Sequence, residues 1–280
     1  MSVWLRRFCA GLCLLLNGLV WAAQTWRFAP LPMEQPETVV AQWRPVLDAL
    51  SRQLGVEIRI DYSESYAELL DKFVQGRIDL AYLGPLPYVE LKRRLPQAEV
   101  LVHLRESDGS AFYTCALIAA EEGGISSLKR LKNRRIALTQ PLSTCGYFAV
   151  DTLLRRAGSN LQDNHYRYLD KHDAVALAVA RGDFDLGGVK SAIAHKYRHL
   201  GLTVLAQSQP FPGFALVAHA GRVDARRREQ IKRLLIESDA AQRSGWGPVA
   251  RYGAVEASDA DYDGVRALLP QRPIPQRGNF

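Results

Sequence analysis

The sequence predicts an α/β protein built as two lobes, and three observations support this fold class. Helix-like and strand-like apolar patterns alternate along the chain with short connections, which is typical of helices packed on largely parallel sheets. Two strand-like apolar segments, residues 112–118 and 214–218, are spaced so that they can enclose a middle portion of the chain. The length of 280 residues allows two lobes but not several independent domains.

The first elements can be assigned in order from their apolar periodicity. Residues 38–54 are amphipathic and are closed by Gly55, which predicts a helix, and residues 56–60 alternate as a strand does. A second helical pattern covers residues 66–75, and residues 78–82 have the composition of a buried strand. Helix and strand therefore alternate from the start of the chain, as in α/β folds.

The two enclosing segments are interpreted as hinge strands that pass between the lobes. We therefore expect lobe one to consist of residues 23–112 and 214–280, and lobe two of residues 113–213. Residues 270–280 contain several prolines and are expected to form a loose tail.

The N-terminus has the composition of a secretory signal peptide. Arg6 and Arg7 precede an apolar run that ends in small residues near Ala22. The run is shorter than the roughly 20 apolar residues of a membrane anchor, and the cysteines within it lack a lipoprotein lead-in. We expect residues 1–22 to be removed, leaving a periplasmic, unlipidated, monomeric protein that meets the membrane only through a partner.

The most informative segment is the loop of residues 141–147, which follows the strand-like residues 136–139. Small hydroxyl residues and a glycine at a helix start leave backbone N–H groups uncovered, and the helix dipole adds roughly half a positive charge. The first carboxylate after the loop is Asp151, too far along to cap the opening turn. The loop is a candidate oxyanion site, and the alternative is that Ser143 or Thr144 is an ordinary N-cap.

The charge distribution gives little support to a nucleic-acid partner. The formal net charge is +7, and it falls to +5 once the two arginines of the signal peptide are subtracted. The remaining basic residues are dispersed through the chain. The densest cluster, residues 226–228, is expected to be a solvated helix face.

Two cysteines remain in the mature chain, and their role is open. In an oxidising compartment Cys115 and Cys145 could form a disulfide worth about 3 kcal/mol. If they are not bridged, Cys145 at a helix start is a candidate low-pKa thiolate, and the pair could hold a soft ligand.

An enzyme with Cys145 as nucleophile and His172 as base is disfavoured, because no catalytic motif surrounds either residue. No cofactor and no metal are expected. His195 and His199 are spaced for a helical zinc pair, but Lys196 and Arg198 lie between them, which favours a solvated basic face.

Six short motifs occur in a fixed order: YAELL at 66–70, GRIDLAYLGP at 76–85, STCGY at 143–147, HDA at 172–174, GDFDLGGV at 182–189 and DADYD at 259–263. With these motifs the chain resembles the periplasmic phosphate/phosphite/phosphonate-binding proteins, which are type II solute-binding proteins of ABC transporters. The resemblance covers nearly the whole mature chain. It implies a two-lobed type II fold in which each lobe has a mostly parallel sheet flanked by helices, and two hinge strands join the lobes.

The resemblance also implies that the loop in lobe two holds a small oxyanion. In the family a Ser-Thr-Ser-Gly loop supplies hydroxyl and backbone donors, which assigns ligand contacts to Ser143, Thr144, Cys145, Gly146 and Tyr147. Cys145 departs from that pattern because a thiol is a weaker donor than a hydroxyl. Either the anion differs from the family's or a backbone N–H suffices at this position.

Further contacts are implied outside the loop. His172 is similar to a ligand contact of the family, and the alternative is a structural histidine on a loop. Tyr66 matches a tyrosine that reaches the ligand from lobe one. Tyr82 or Tyr88 could do the same, although aromatic residues at strand ends are more often packing residues.

Two departures bear on the ligand. Leu83 stands where some relatives place a tyrosine contact. Lys190 stands where relatives that bind aminoalkyl-phosphonates place an acid, which argues against an amine-bearing ligand. A lysine in the cleft would favour a small, doubly charged oxyanion, whereas a salt bridge to Asp183 or Asp185 is the alternative.

The resemblance implies that the protein delivers its ligand to an ABC permease and has no enzymatic activity. The alternative is a sensing protein that presents an oxyanion such as arsenite to a membrane histidine kinase. Trivalent arsenic prefers thiolates, so Cys115 and Cys145 favour this alternative, and a plain disulfide explains the same pair equally well.

Overall fold

The computed structural model describes residues 24–269 and 273–280, so the expected signal peptide, residues 1–22, lies outside the described residues. The described residues form an α/β fold with two separate large sheets, and helices pack against both. The predicted fold class is therefore confirmed. In the part of the chain that the structure describes, no helix is long and apolar enough to cross a membrane.

The described residues contain thirteen strands: β1 (Thr25–Ala29), β2 (Glu57–Ile60), β3 (Leu80–Leu83), β4 (Ala98–Leu104), β5 (Phe112–Tyr113), β6 (Cys115–Ala120), β7 (Arg135–Leu138), β8 (His165–Tyr168), β9 (Leu186–Lys190), β10 (Leu202–Gln207), β11 (Phe211–Pro212), β12 (Ala215–His219) and β13 (Ala254–Glu256). The same residues contain nine α-helices: α1 (Pro36–Leu54), α2 (Tyr66–Val74), α3 (Pro85–Arg94), α4 (Ala149–Arg156), α5 (His172–Ala180), α6 (Ser191–Lys196), α7 (Ala225–Ile236), α8 (Ala240–Ser244) and α9 (Asp263–Ala267).

Helix α1 shows how the sequence pattern forms an element. Its buried residues recur every three or four positions, at Val39, Trp43, Val46 and Leu50, so one face of the helix packs on the sheet. The helix ends at Gly55, whose φ of 65° lies in the left-handed region that glycine adopts without strain.

The first large sheet has six strands in the order β13-β4-β12-β3-β1-β2. β1 pairs in parallel with β2 and β3, whereas β12 pairs antiparallel with β3 and β4, and β13 antiparallel with β4. The second has five strands in the order β10-β6-β9-β7-β8. There β7 pairs in parallel with β8 and β9, whereas β6 pairs antiparallel with β9 and β10. We call the portions that carry these sheets lobe one and lobe two.

Both sheets are mixed, and this corrects the expectation of mostly parallel sheets. β6 and β12 are the first sheet strands after each passage between the lobes, and both run antiparallel to their neighbours. A parallel neighbour requires a crossover connection, usually a helix. Neither strand is preceded by a crossover helix, because each is entered directly from the hinge.

The hinge is a ribbon of two short strands. β5 pairs antiparallel with β11, with Tyr113 opposite Phe211. The predicted hinge segment at residues 112–118 therefore contains β5 and most of β6, whereas the segment at 214–218 follows β11 and lies mainly in β12. The lobe boundaries proposed from the sequence fall next to this ribbon.

Residues 273–280 pack on β8, the edge strand of lobe two. The backbone N–H of Asn279 donates to the carbonyl of Tyr166 at 3.0 Å, and the Tyr166 N–H donates to Asn279 Oδ1 at 2.7 Å. The Arg167 guanidinium lies 4.6 Å from the ring centre of Phe280. The expectation of a loose tail is therefore wrong for these residues, which cover a sheet edge that would otherwise be exposed.

Candidate functional site

The loop that follows β7 starts its helix with a π-helical turn, Thr144–Phe148, which leads directly into α4. Ser143 is the N-cap, and its Oγ accepts a hydrogen bond from the N–H of Gly146 at 2.9 Å. The wider turn arises because the N–H of Phe148 bonds the carbonyl five residues earlier, at Ser143. Short π-helical turns of this kind are frequent at functional sites.

The turn retains hydrogen-bond donors that its own folding does not use. Among the described residues, no acceptor bonds the backbone N–H of Thr144 or Cys145. Ser143 Oγ and Thr144 Oγ1 each accept a backbone N–H, so their own hydroxyl hydrogens remain free to donate. Ser143 is thus an N-cap, as the alternative interpretation held, and it still keeps a donor for an anion.

Gly146 and Tyr147 belong to the turn but do not line its pocket. A Cβ at Gly146 would lie 1.8 Å from Thr139 Oγ1 and 2.7 Å from the Thr139 nitrogen, so glycine is required for packing against the end of β7. Tyr147 is buried near Asp151, and burial, with that carboxylate adding to it, raises the pKa of Tyr147 to about 12. The structure therefore gives both residues structural positions.

Lobe one closes over the turn. The N–H of Leu86, in the first turn of α3, donates to Thr144 Oγ1 at 3.0 Å. The Tyr66 N–H, at the start of α2, donates to Gln140 Oε1 at 2.8 Å, and the Tyr66 hydroxyl lies beside Ser143. Burial raises the pKa of Tyr66, so this hydroxyl stays protonated and can donate.

Tyr113 lies at the same place, although the sequence assigned it only to a hinge strand. Its side chain is 5% exposed, and its hydroxyl lies beside Thr144 without forming a hydrogen bond of good geometry to any described residue. Burial raises the pKa of Tyr113, so the hydroxyl is a neutral donor. A buried polar group without a partner costs free energy, which marks this hydroxyl as a candidate ligand contact. Its position on a hinge strand, at the floor of the cleft, was the signal that could have identified it.

His172 is the first residue of α5 and is almost completely buried. Burial, and next the positive charge of Lys190, lower the pKa of His172 to about 4. Its Nδ1 accepts the N–H of Lys190 at 3.4 Å, which places the hydrogen of the neutral ring on Nε2. The side chain is therefore an uncharged donor at the junction of the lobes, where the backbone N–H of His172 donates to the Met33 carbonyl of lobe one.

The two cysteines form a disulfide. The Cα atoms of Cys115 and Cys145 are 4.9 Å apart, and the bond joins the start of β6 to the π-helical turn. Of the alternatives left open by the sequence, the thiolate nucleophile and the soft-ligand pair do not apply to the bridged residues. The arsenite-sensing hypothesis loses its chemical support for the same reason.

Lys190 is paired with an acid that the sequence did not single out. Its Nζ donates to both carboxylate oxygens of Glu106, at 2.6 and 2.8 Å, and lies 5.0 Å from the ring centre of Phe214. The suggested bridges to Asp183 and Asp185 are absent among the described contacts, because those acids pair with Arg181 and Arg135. The charge of Lys190 is therefore already neutralised within the cleft.

The remaining two tyrosines occupy different environments. The Tyr88 hydroxyl donates to Asp259 Oδ1 at 2.8 Å, and its ring packs on Tyr262, so the structure places Tyr88 in the core of lobe one and away from the turn. Tyr82 packs against Trp43 and Phe214 and contributes to the wall of a cavity in the cleft.

Two spaces that share wall residues lie between the lobes. The anion pocket, of about 10 Å³, is lined by residues that include Tyr66, Tyr113, Ser143, Thr144 and Cys145. The side cavity, of about 240 Å³, is lined by residues of both lobes, among them Glu34, Tyr82, Glu106 and Lys190. Leu31 and His172 contribute to the walls of both spaces.

The arrangement has a clear chemical character. The anion pocket offers hydroxyl and backbone donors and has no carboxylate in its wall. Such a set of donors can hold an oxyanion.

The chain matches known proteins along most of its length. Residues 28–262 match the family model described as "ABC transporter, phosphonate, periplasmic substrate-binding protein". The chain is 26% identical over 274 residues to the phosphate-import protein PhnD of Mycolicibacterium smegmatis, covering 87% of this chain and 84% of that protein. It is 26% identical over 204 residues to the phosphonates-binding periplasmic protein of Escherichia coli, covering 68% and 59%.

Solved structures show the same fold. PhnD1 from Prochlorococcus marinus in complex with methylphosphonate matches with a TM-score of 0.78 at 19% identity, over 88% of this chain and 97% of that one. A binding protein component of an ABC phosphonate transporter from Pseudomonas aeruginosa gives the same TM-score and identity, over 88% and 85%. The two lobes are those of a type II periplasmic binding protein. With the family match spanning more than half of its length, the chain belongs to the periplasmic substrate-binding proteins of ABC phosphonate transporters.

Proposed function

We propose that this protein captures a small phosphorus oxyanion in the anion pocket and delivers it to an ABC importer. The observation that carries the proposal is the set of unused donors around one small buried space: the N–H groups of Thr144 and Cys145, the hydroxyls of Ser143 and Thr144, and the unpartnered hydroxyl of Tyr113. Donors to a charged acceptor are stronger than neutral pairs, and buried ones gain most from an anion.

The mechanism follows from the hinge. In the arrangement described here, contacts such as the Leu86 to Thr144 hydrogen bond already join the lobes, so a ligand enters when the lobes separate at the β5–β11 ribbon. The anion docks on the turn of lobe two, and Tyr66 reaches it from lobe one as the lobes close. Closure is driven by the higher affinity of the closed form for the ligand, and the closed form is what the permease recognises.

Binding of the anion does not require an unpaired positive side chain in the cleft. Lys190 is bound to Glu106, and His172 is neutral because burial lowers its pKa to about 4. Neutral donors and the ends of helices then supply the binding energy. We also propose that the protein reaches the periplasm through cleavage near Ala22.

The proposal is tested on the mature protein by thermal shift and calorimetry with phosphate, phosphite, methylphosphonate, arsenite, thiosulfate and tetrathionate, each with and without reductant. Ligand binding raises the apparent stability by mass action. We expect stabilisation by a phosphorus oxyanion both with and without reductant. Stabilisation by arsenite alone, and only after reduction of the disulfide, would overturn the proposal in favour of a sensor.

A further inference from the structure

One loop of lobe two carries a high density of positive charge. Five of the seven residues 129–135, here called the basic loop, are Lys or Arg, whereas any window of seven that contains the run 226–228 has at most four. One of the five, Arg135, lies 3.4 Å from a carboxylate oxygen of Asp185. The other four are exposed and form no salt bridge with any described residue: Lys129, Arg130, Lys132 and Arg134.

The backbone of the basic loop is fixed by its surroundings. Leu131 is buried, and its carbonyl accepts hydrogen bonds from the Ser159 hydroxyl at 2.5 Å and the Asn164 amide at 3.3 Å. Arg130 and Asn133 have φ of 52° and 57°, in the left-handed region that non-glycine residues rarely adopt. Such conformations persist where the neighbouring structure determines them. The loop is therefore preorganised, and little backbone freedom is lost when it binds a partner.

The acids that lie next to the basic loop are engaged elsewhere. Asp185 pairs with Arg135, and its second oxygen accepts the backbone N–H of Arg135 at 2.7 Å. The carbonyl of Asp163 accepts the N–H of Asn133, but its carboxylate accepts the side-chain amide of Asn160 at 3.0 Å. The four exposed cations thus keep their charge for a partner outside the described residues.

The basic loop and the anion pocket lie at opposite ends of one strand. The loop ends at Arg135, the first residue of β7, whereas the π-helical turn follows Leu138, the last residue of that strand. β8 and β9 run parallel to β7, so both begin at the end where the loop lies, with His165 opposite Arg135. An extended anionic surface can therefore contact the loop without covering the anion pocket.

The composition of the loop surface favours a lipid surface over a protein. Protein interfaces are anchored by buried aromatic side chains at their centre. The exposed residues of the segment 126–135 are serine, lysine, arginine and asparagine only. A bilayer with anionic lipids attracts clusters of Lys and Arg through its surface potential and requires no aromatic anchor.

We propose that the basic loop binds the protein reversibly to anionic phospholipid at a membrane surface. This direct contact goes beyond the expectation that the protein meets the membrane only through a partner. It does not depend on which ligand occupies the anion pocket. A receptor held at the surface meets a membrane protein at a higher effective concentration than a freely diffusing one does.

The test is co-sedimentation of the mature protein with two kinds of vesicle, phosphatidylcholine alone and an equal mixture of phosphatidylcholine and phosphatidylglycerol. Each Lys or Arg near an anionic surface adds about fivefold in affinity, so we expect binding to the mixed vesicles at low ionic strength and little to the neutral ones. Binding should be lost near 1 M salt, where the Debye length falls to about 3 Å. Equal binding to both vesicles, or binding that salt does not change, would overturn the inference.

Two variants that remove the same charge separate the basic loop from net charge. The loop variant is Lys129→Gln/Arg130→Gln/Lys132→Gln/Arg134→Gln, and we expect it to bind the mixed vesicles at least about tenfold more weakly than wild type. The control neutralises four exposed arginines of lobe one, as Arg44→Gln/Arg52→Gln/Arg77→Gln/Arg226→Gln, and should lose no more than about threefold. An equal loss in both variants would show that net charge, and not the loop, attracts the protein.

Thermal unfolding checks that both variants fold. If the loop variant does not, Lys129→Gln/Lys132→Gln leaves the left-handed Arg130 in place and should still weaken binding about fivefold or more. Soluble polyglutamate tests the other class of partner: if the basic loop binds it more tightly than the mixed vesicles, the lipid assignment is overturned in favour of an acidic protein. Oxyanion binding in solution is measured separately, so failure of this inference leaves the proposed function standing.

Discussion

Two strand-to-helix turns face each other across the cleft, and only one keeps donors for a ligand. In lobe one, β3 leads through Gly84 into α3, where prolines occupy the first and third helical positions and bring no N–H. The Leu86 N–H, which lies between the two prolines, donates to Thr144 Oγ1. In lobe two, β7 leads into the π-helical turn, which contains no proline and keeps the N–H groups of Thr144 and Cys145.

The difference shows that the position of a turn at a strand end does not by itself make a binding site. Both turns are buried, both follow a strand of a central sheet, and both open a helix. The residue types at the first three helical positions decide which turn keeps unused N–H donors and which turn has none. The two turns can therefore be tested against each other.

Removal of the hydroxyls from lobe two should have the largest effect. We expect Ser143→Ala/Thr144→Ala to weaken oxyanion binding by about 3–6 kcal/mol, since each donor to a charged group is worth about 1.5–3 kcal/mol. Calorimetry with methylphosphonate measures this loss of binding free energy. The matched control is Ser126→Ala/Ser127→Ala, two exposed serines of the same lobe, which should bind as wild type. Equal affinity in both double variants would mean that the donors lie elsewhere.

The disulfide anchors the turn of lobe two, whereas the prolines stiffen the turn of lobe one. Cys115→Ala/Cys145→Ala opens a covalent link between residues 30 apart and should lower the free energy of unfolding by about 3–4 kcal/mol. Denaturant unfolding of the wild type and the variant, with and without reductant, measures the loss. Reductant should lower the stability of the wild type alone, and an unchanged wild-type midpoint would show that the bond contributes nothing.

Helix α5 begins at His172, a titratable donor that can be compared with the donors of the two turns. The pKa of His172 is lowered from 6.5 to about 4 by burial and by Lys190, against a small opposing effect of Glu34. As pH falls, the His172 ring of the unfolded chain binds a proton before the ring of the folded chain does. The contribution of the neutral ring to the free energy of unfolding is therefore complete above pH 6.5 and is lost as pH falls toward 4. The full loss amounts to about 3 kcal/mol.

The measurement is the free energy of unfolding of wild type and His172→Gln between pH 4 and 7. The wild type should lose about 3 kcal/mol more than the variant over this range. Parallel pH profiles would show that His172 titrates normally in the folded protein.

The smallest effects distinguish two tyrosines. Tyr113→Phe should weaken oxyanion binding by about 1.5–3 kcal/mol without loss of stability, because its hydroxyl forms no hydrogen bond of good geometry to a described residue. Tyr88→Phe should cost about 1 kcal/mol of stability through its bond to Asp259 and leave affinity unchanged. Calorimetry measures the affinity of both variants, and thermal unfolding measures their stability. A loss of affinity in Tyr88→Phe together with a loss of stability alone in Tyr113→Phe would mean that Tyr88 contacts the ligand and Tyr113 supports the fold.

The sequence predicted the features that depend on neighbouring residues. The helix ending at Gly55 and the N-cap at Ser143 follow from local patterns, and the structure contains both. The partners of Lys190 and Tyr88 could not be predicted, because Glu106 and Asp259 lie 84 and 171 residues away from them. Pairing over such distances depends on how the lobes pack. The mixed sheets escaped prediction for a related reason, since strand direction in β6 and β12 is set by the hinge and not by the strands' own composition.

The packing of residues 273–280 on β8 has a consequence for the order in which the molecule can fold. Tyr166 and Asn279 are 113 positions apart, and contacts of large sequence separation form late because the intervening chain must first be ordered. All strands of lobe two leave the ribosome before the segment that covers their edge. Until that segment arrives, β8 presents unpaired backbone groups to other chains. Lobe two therefore keeps an open sheet edge, where a second chain could pair, until the C-terminal segment is in place.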